Sequence, residues 1–371
     1  MLKIWRFGFV LLAGLLISCN GSRRTIVVED SFSWLVSPEL LKHAELETVW
    51  QTQLPLKQGE SLRDLHILGN RIYALSDRNY IVSLDREMGG MIFSRAFAPV
   101  GFPIVGLELY DDELFSIVGS ELVEINEEFG TERGTKLLEY RSVCPAARNS
   151  SYFYLSGADR RIHTLRAGDK VQVFQVAADN DSMITSIIAD EDFVVFGTEA
   201  GNVVSITADG PRKLWQFDAA GGIAGPIVRD GTSLFFASKD TNVYRVDMVD
   251  SAGKNFVWKY QTAAMLDRAP RVTREVVYQY VRYKGLAAIN RESGKIIWEV
   301  PGGDDLLAEV GGKAYVIAKG RLVVMDNKKA KRLYSVNFAG VSKYTANVDD
   351  SKMYIADAAG RIACLQPVSH K

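Results

Sequence analysis

The sequence predicts an all-β fold: an eight-bladed β-propeller of four-stranded antiparallel blades, closed by an N-terminal strand that completes the last blade. Three observations predict it. A unit of about forty residues recurs, apolar and aromatic residues hold fixed places within it, and the two ends supply complementary pieces of one unit.

The recurring unit is anchored by a residue in a short apolar strand. The anchors are Tyr73, Phe115, Tyr154, Val195, Phe235, Tyr278, Tyr315 and Tyr354, spaced 37 to 43 residues apart. Ten or eleven residues beyond them come Leu84, Ile125, Leu165, Ile206, Val246, Ile289, Met325 and Leu365. Most copies then place an aromatic about twenty residues past the anchor: Phe93, Phe174, Trp215, Trp258, Trp298 and Tyr334. Pairs such as Gly69-Asn70, Asp111-Asp112, Gly311-Gly312 and Asp350-Ser351 precede the anchors, and these residue types tolerate the positive φ of tight hairpin turns.

The eighth copy stops at Leu365-Gln366-Pro367 without an outer strand, while an orphan strand, Thr48 to Gln53, precedes the first copy. Donating that strand to the last blade closes the ring and removes exposed edges. A linear solenoid would instead need a polar cap at each end.

The N-terminus reads as an address. Lys3 and Arg6 precede an apolar run from Phe7 to Ile17, shorter than the roughly 20 residues of a spanning helix. Leu16-Ile17-Ser18-Cys19 resembles the lipobox of bacterial lipoproteins. The resemblance implies a signal peptide over residues 1–18, lipid on Cys19, a tether over 19–46 and the propeller over 47–368. Asn20, in place of an aspartate, is compatible with sorting to the outer membrane, facing the periplasm.

Of the 371 residues, 47% are hydrophobic and 24% charged, with a net charge of −1. That balance excludes disorder and a polytopic membrane protein, and leaves no basic excess for nucleic acid. The repeat reduces to one the two or three domains that this length otherwise suggests.

No catalytic residue, metal ligand or cofactor is assigned. His43 and His370 lie near the ends, and His66 and His163 form no spaced pair, so a structural role for His163 is expected. Asp111-Asp112 and Asp349-Asp350 fall at or beside the repeat's turn position, unlike Asp304-Asp305. Asp179-Asn180-Asp181 lacks the full pattern of a calcium loop. Gly221-Gly222-Ile223-Ala224-Gly225-Pro226 has no helix after it to hold phosphate and reads as a close approach to the central axis. Of three tyrosines that hint at a sugar platform, Tyr278 should be core, Tyr280 shares its face, and only Tyr283 nears a turn.

One pattern marks a surface. Turns between second and third strands share one propeller face, and they carry Arg78, Arg160, Arg161, Lys239, Arg282, Lys284, Arg321 and Arg361. A solvated rim is the plain explanation. Docking of a partner protein is the sharper one, because the planar guanidinium binds carboxylates and backbone oxygens.

The segment Ala287-Ala288-Ile289-Asn290-Arg291-Glu292-Ser293-Gly294-Lys295-Ile296-Ile297-Trp298 resembles the repeat of quinoprotein-like (PQQ-repeat) propellers. Asp85 to Phe93, Thr207 to Trp215 and Asp247 to Trp258 are looser copies. In layout, length and lipobox the chain resembles the BamB lipoproteins, scaffolds of outer-membrane β-barrel assembly. The resemblance implies a non-catalytic, lipid-anchored scaffold within an envelope protein complex. The enzymatic branch, quinone-dependent dehydrogenases, carries an adjacent cysteine pair and calcium ligands. Here Cys144 and Cys364 are far apart in sequence. Binding of a quinone, another small ligand or a carbohydrate in the central channel is the alternative function.

Overall fold

The computed structural model describes residues 33–248 and 256–368, and these build eight four-stranded antiparallel sheets. Blades 1 to 7 occupy residues 62–96, 104–137, 147–177, 184–218, 223–261, 271–301 and 303–337. In each, the strands follow one another outward in chain order. Blade 1 shows why: Leu62–Leu68 is half-buried at the axis, Arg71–Ser76 and Tyr80–Asp85 are buried, and Met91–Ala96 faces outward. All eight anchors are buried. Successive blades share separate apolar cores along their seams, so the hydrophobic burial is distributed around the ring.

Blade 8 takes three strands from the C-terminus, Lys343–Thr345, Met353–Ala356 and Arg361–Pro367, and its fourth from β1 (Leu46–Gln53). Leu46 lies opposite Pro367 and Gln53 opposite Arg361, antiparallel, with a bulge between Thr48 and Trp50. The expected closure is therefore present, by a strand that starts two residues earlier than the sequence signal.

Residues 35–46, which the sequence assigns to the tether, pack on the propeller. Helix α1 (Pro38–His43) starts at Ser37, whose Oγ accepts from the Leu40 N–H, with Pro38 in the first turn, where its missing N–H costs nothing. Leu41, Ala44 and Leu46 are buried with Val36 and Phe338 in the seam between blades 7 and 8. Glu45 then accepts from Lys313 Nζ at 2.6 Å. Cys19 and the rest of residues 1–32 lie outside the described residues.

One contact recurs at the seams: an outer-strand aromatic of one blade sits on the turn between third and fourth strands of the next. Trp258 of blade 5 donates from Nε1 to the Arg291 carbonyl of blade 6 at 2.8 Å, over Gly294. Trp50 of β1 does the same to Arg86 of blade 1 at 3.3 Å, over Gly89. The turn is set by its first residue. Asp85 Oδ1 accepts from the Glu87 and Met88 N–H groups, and Asn290 Oδ1 from Ser293. Four residues on, the chain must turn left-handed, at φ +70° in Gly89 and +67° in Gly294. A Cβ at Gly89 would also stand 2.5 Å from the Trp50 ring.

Arginines brace the same seams. Arg86, buried, donates to the Gly69 carbonyl at 3.0 Å and Asn347 Oδ1 at 3.1 Å, and lies 3.1 Å from Asp350. Arg291 likewise donates to the Thr273 carbonyl at 3.0 Å and covers the Phe235 ring.

Gly89→Ala should destabilise the chain by about 2 kcal/mol, from left-handed strain plus the clash with Trp50. Gly90→Ala, with nothing within 4 Å of its Cβ, should be near neutral. Equal denaturant midpoints for the two would refute the seam contact. Removing residues 46–53 should abolish the single cooperative unfolding transition, checked by calorimetry.

Candidate interaction face

The propeller has two ends. One carries the turns between second and third strands together with the loops that pass from blade to blade. The other carries the remaining turns.

All eight sequence-predicted cations belong to the first end, spread around the ring on blades 1, 3, 5, 6, 7 and 8 rather than gathered into a cluster. Several are held in place. Arg78 donates to the Gly59 carbonyl at 3.1 Å, and Arg160 pairs with Asp181 at 3.1 Å. Arg161 donates to Gln175 Oε1 at 3.1 Å and Arg321 to Ser335 Oγ at 2.9 Å. Arg361 is half-buried and paired with Asp357 at 2.7 Å. Arg282 lies 5.2 Å from the centroid of the Tyr283 ring, while Lys239 and Lys284 are exposed. Blades 2 and 4 contribute no cation here, since their turns read Gly119-Ser120 and Glu199-Ala200-Gly201.

The same end carries exposed apolar side chains that the charge pattern did not reveal. Val100 and Phe102 stand on the loop from blade 1 to blade 2, with Leu137 and Val143 beside the next connection. Phe102 lies over blade 2's turn, where a Cβ at Gly119 would stand 3.1 Å from its ring. Met265 and Tyr283, the latter 90% exposed, lie on the blade 5–6 side. The signal was legible in the loop Phe97-Ala98-Pro99-Val100-Gly101-Phe102-Pro103, apolar where connecting loops are normally polar. Apolar side chains exposed among arginines are the composition of a protein-binding surface.

The channel is lined by first strands. Arg271 clamps Asp305 through Nε at 3.1 Å and Nη2 at 2.8 Å, which accounts for the Asp304-Asp305 pair without chemistry. Burial pushes the Tyr344 hydroxyl up to about 12 and lowers the pKa of His66. Burial also raises the Glu108 carboxyl to about 7. His163 is structural, as expected: buried, stacked on Tyr140, with Nε2 3.0 Å from Asp159 and Nδ1 3.2 Å from Gln172. Tyr278 is core, and Tyr280 is covered by Arg268 at 4.0 Å. Cys144 and Cys364 are free, buried thiols, raised by burial to about 11 and about 12. Among the described residues no group of three or more His, Cys, Asp or Glu is placed to hold a metal ion. No helix among them is long and apolar enough to cross a membrane.

Ring and seams define an eight-bladed propeller of the quinoprotein-like repeat class. The chain belongs to the family described as "Outer membrane protein assembly factor BamB", which matches residues 41–260 and 245–369. Among solved structures it is similar to BamB from Moraxella catarrhalis, with a TM-score of 0.67 and 16% identity over 88% of this chain and 99% of that one. The computationally designed Ika8 protein matches with a TM-score of 0.65 and 13% identity, over 84% of this chain and 98% of that one. The β-propeller domain of Myceliophteria thermophila Cps50 (Swd1) matches with a TM-score of 0.55 and 13% identity, over 85% and 99% respectively. At these identities the likenesses concern fold. No curated protein matches the sequence.

The raised Glu108 carboxyl makes stability fall with pH. Between the ordinary value of 4.5 and about 7 the folded chain holds a proton that the unfolded chain releases. The penalty is therefore absent below about pH 4 and complete above about pH 7. Glu108→Gln should be more stable than the unsubstituted chain at pH 8, by about 1–3 kcal/mol, and equal to it at pH 4. Equal melting temperatures at pH 8 would contradict the burial of this carboxyl.

Proposed function

We propose that the chain is a non-catalytic scaffold for outer-membrane protein assembly, lipid-anchored at Cys19 and facing the periplasm. The observation that carries this reading is the end where Val100, Phe102, Leu137 and Tyr283 are exposed among arginines. Membership of the BamB family supports the biological setting.

The mechanism is avidity. The lipid confines the chain to a membrane surface, and confinement raises its effective concentration toward partners in the same membrane. The ring presents its loops with little ordering to be lost on binding, so the apolar side chains contribute affinity that flexible loops would forfeit. Arg282 and Arg321 favour a partner surface rich in carboxylates and exposed carbonyls.

Crosslinking in membranes followed by copurification should recover a barrel-assembly factor of the outer membrane. Phe102→Asp combined with Arg282→Glu should lower that recovery at least tenfold with no change in melting temperature, both side chains being exposed. Recovery unchanged by the pair would refute the face. Cys19→Ala should move the chain from the membrane to the soluble periplasmic fraction, and persistent membrane association would refute the anchor.

A further inference from the structure

We propose that the outer side of the seam between blades 2 and 3 is a socket for an aromatic side chain of a partner protein. The proposal rests on the scaffold reading for the partner and extends its surface, since Leu137 at the rim of this seam also belongs to the candidate interaction face.

The other seams show what belongs there. Every blade except blade 2 packs a ring from its outer strand into the core it shares with the next blade. Phe93 lies over Gly130 of blade 2, where an added Cβ would stand 2.5 Å from the ring. Trp298 donates from Nε1 to Asn327 Oδ1 of blade 7 at 2.8 Å. By register, Phe93 is opposite Ser83, Trp215 opposite Ser205 and Trp298 opposite Ala288. The matching pair in blade 2 is Gly134 opposite Glu124. Two residues further on, blades 3 to 7 carry Val176, Phe217, Tyr260, Val300 and Val336, whereas blade 2 carries Lys136. No residue of its outer strand, Glu132–Leu137, belongs to the apolar core between blades 2 and 3.

Nothing in the backbone forces this difference. Gly134 lies outside the left-handed region, and a Cβ there would meet only the far end of the Glu124 side chain, at 3.2 Å. Charge fills the inner part of the gap: Lys170 pairs with Glu124 at 2.8 Å and lies 5.0 Å over the Phe153 ring. The outer part stays open, as a groove of about 400 Å³ between Lys136, Leu137 and Leu138 on one side and Leu165, Val171 and Gln172 on the other. Leu138 and Leu165 are its buried apolar floor, while Leu137 and Val171 stand at the rim, 67% and 51% exposed.

The occupant's chemistry follows from the sister seams. Seven times the fold covers this place with a ring from a neighbouring strand, and the eighth place offers the same kind of floor without the ring. A ring entering the groove gains the apolar contact of Leu138 and Leu165 and presents its face to the Lys136 ammonium. Exposed apolar side chains on both rims reach beyond a single ring, so the ring belongs to a chain that also covers Leu137 and Val171. One aromatic anchor in a pocket, rimmed by weaker contacts, is the usual centre of a protein interface.

The test uses the purified full chain without any partner, so failure of this socket and failure of the scaffold reading are separate results. N-Acetyltryptophanamide, followed by saturation-transfer NMR, should bind saturably with a Kd of about 1 mM, the scale of one anchoring fragment. N-Acetylglycinamide should not bind. Val171→Asp should weaken binding at least tenfold with no change in melting temperature, its side chain being exposed. Gly134→Trp should abolish binding by supplying the ring from within the chain. Phe102→Asp combined with Arg282→Glu should leave it unchanged. Absence of saturable binding up to about 20 mM, or equal binding by the Val171→Asp and Gly134→Trp chains, overturns the proposal.

Discussion

The pairing of β1 with the strand Arg361–Pro367 joins residues more than three hundred positions apart, and the ring depends on it. Blades that pack only on their neighbours form an open arc with two exposed ends, and each end is an unpaired apolar face. Once Leu46–Gln53 fills the outer place of blade 8, both faces become seams. The same strand brings Trp50 onto the turn of blade 1, so blade 8's completion and its junction with blade 1 come from one segment. Helix α1 extends that function backwards, adding Leu41 and Ala44 to the seam of blades 7 and 8. Loop closure over such a separation carries a large entropic cost, and a donated strand meets it once for the whole ring rather than once per blade.

What the sequence made legible follows from what repeats. The anchor tyrosines, the Asp or Asn opening the turn, the left-handed glycine and the outer tryptophan recur because most seams ask for the same contacts, although blades 3 and 7 hold the left-handed position with Lys170 and Ala330. Periodicity therefore exposed the blades and the closing strand. The start of the packed body at Leu35 was not legible, since α1 occurs once and has no second copy to compare with. The seam arginines were equally hidden: Arg86 and Arg291 occupy matching turn positions, but their carbonyl partners lie on other blades and have no sequence signature.

The interaction face was legible only in part, for a physical reason. Turn arginines stand out in sequence, yet Arg160 and Arg361 turn out to be paired within the chain, which reduces what they can give to a partner. Exposed apolar residues stand out only where a loop or turn is recognisable as such, as in Phe97 to Pro103 or at Tyr283, and elsewhere they merge with the buried ones. The fold then shows which of them are left uncovered, Phe102 and Tyr283 among them. Arginine rim and apolar loops together make a surface where desolvation of the apolar part can drive association and the guanidinium groups can orient it.

The channel obeys a different economy from the seams. Around the ring, charged side chains at packed positions are matched: Arg271 with Asp305, Arg148 with Glu113, Lys170 with Glu124. Glu108 departs from that rule, and it does so beside Thr185 in a cavity rather than at a seam. Position 108 sits opposite the anchor Phe115, the place where blades 4, 5 and 7 carry Ile188, Val228 and Ala308. Blades 1, 6 and 8 carry His66, Arg271 and Thr345 at the same place, so a polar side chain facing the channel is an ordinary use of this position. What sets Glu108 apart is the missing partner: Arg271, at the equivalent place of blade 6, is held by Asp305, whereas the Glu108 carboxylate lowers stability as pH rises to about 7.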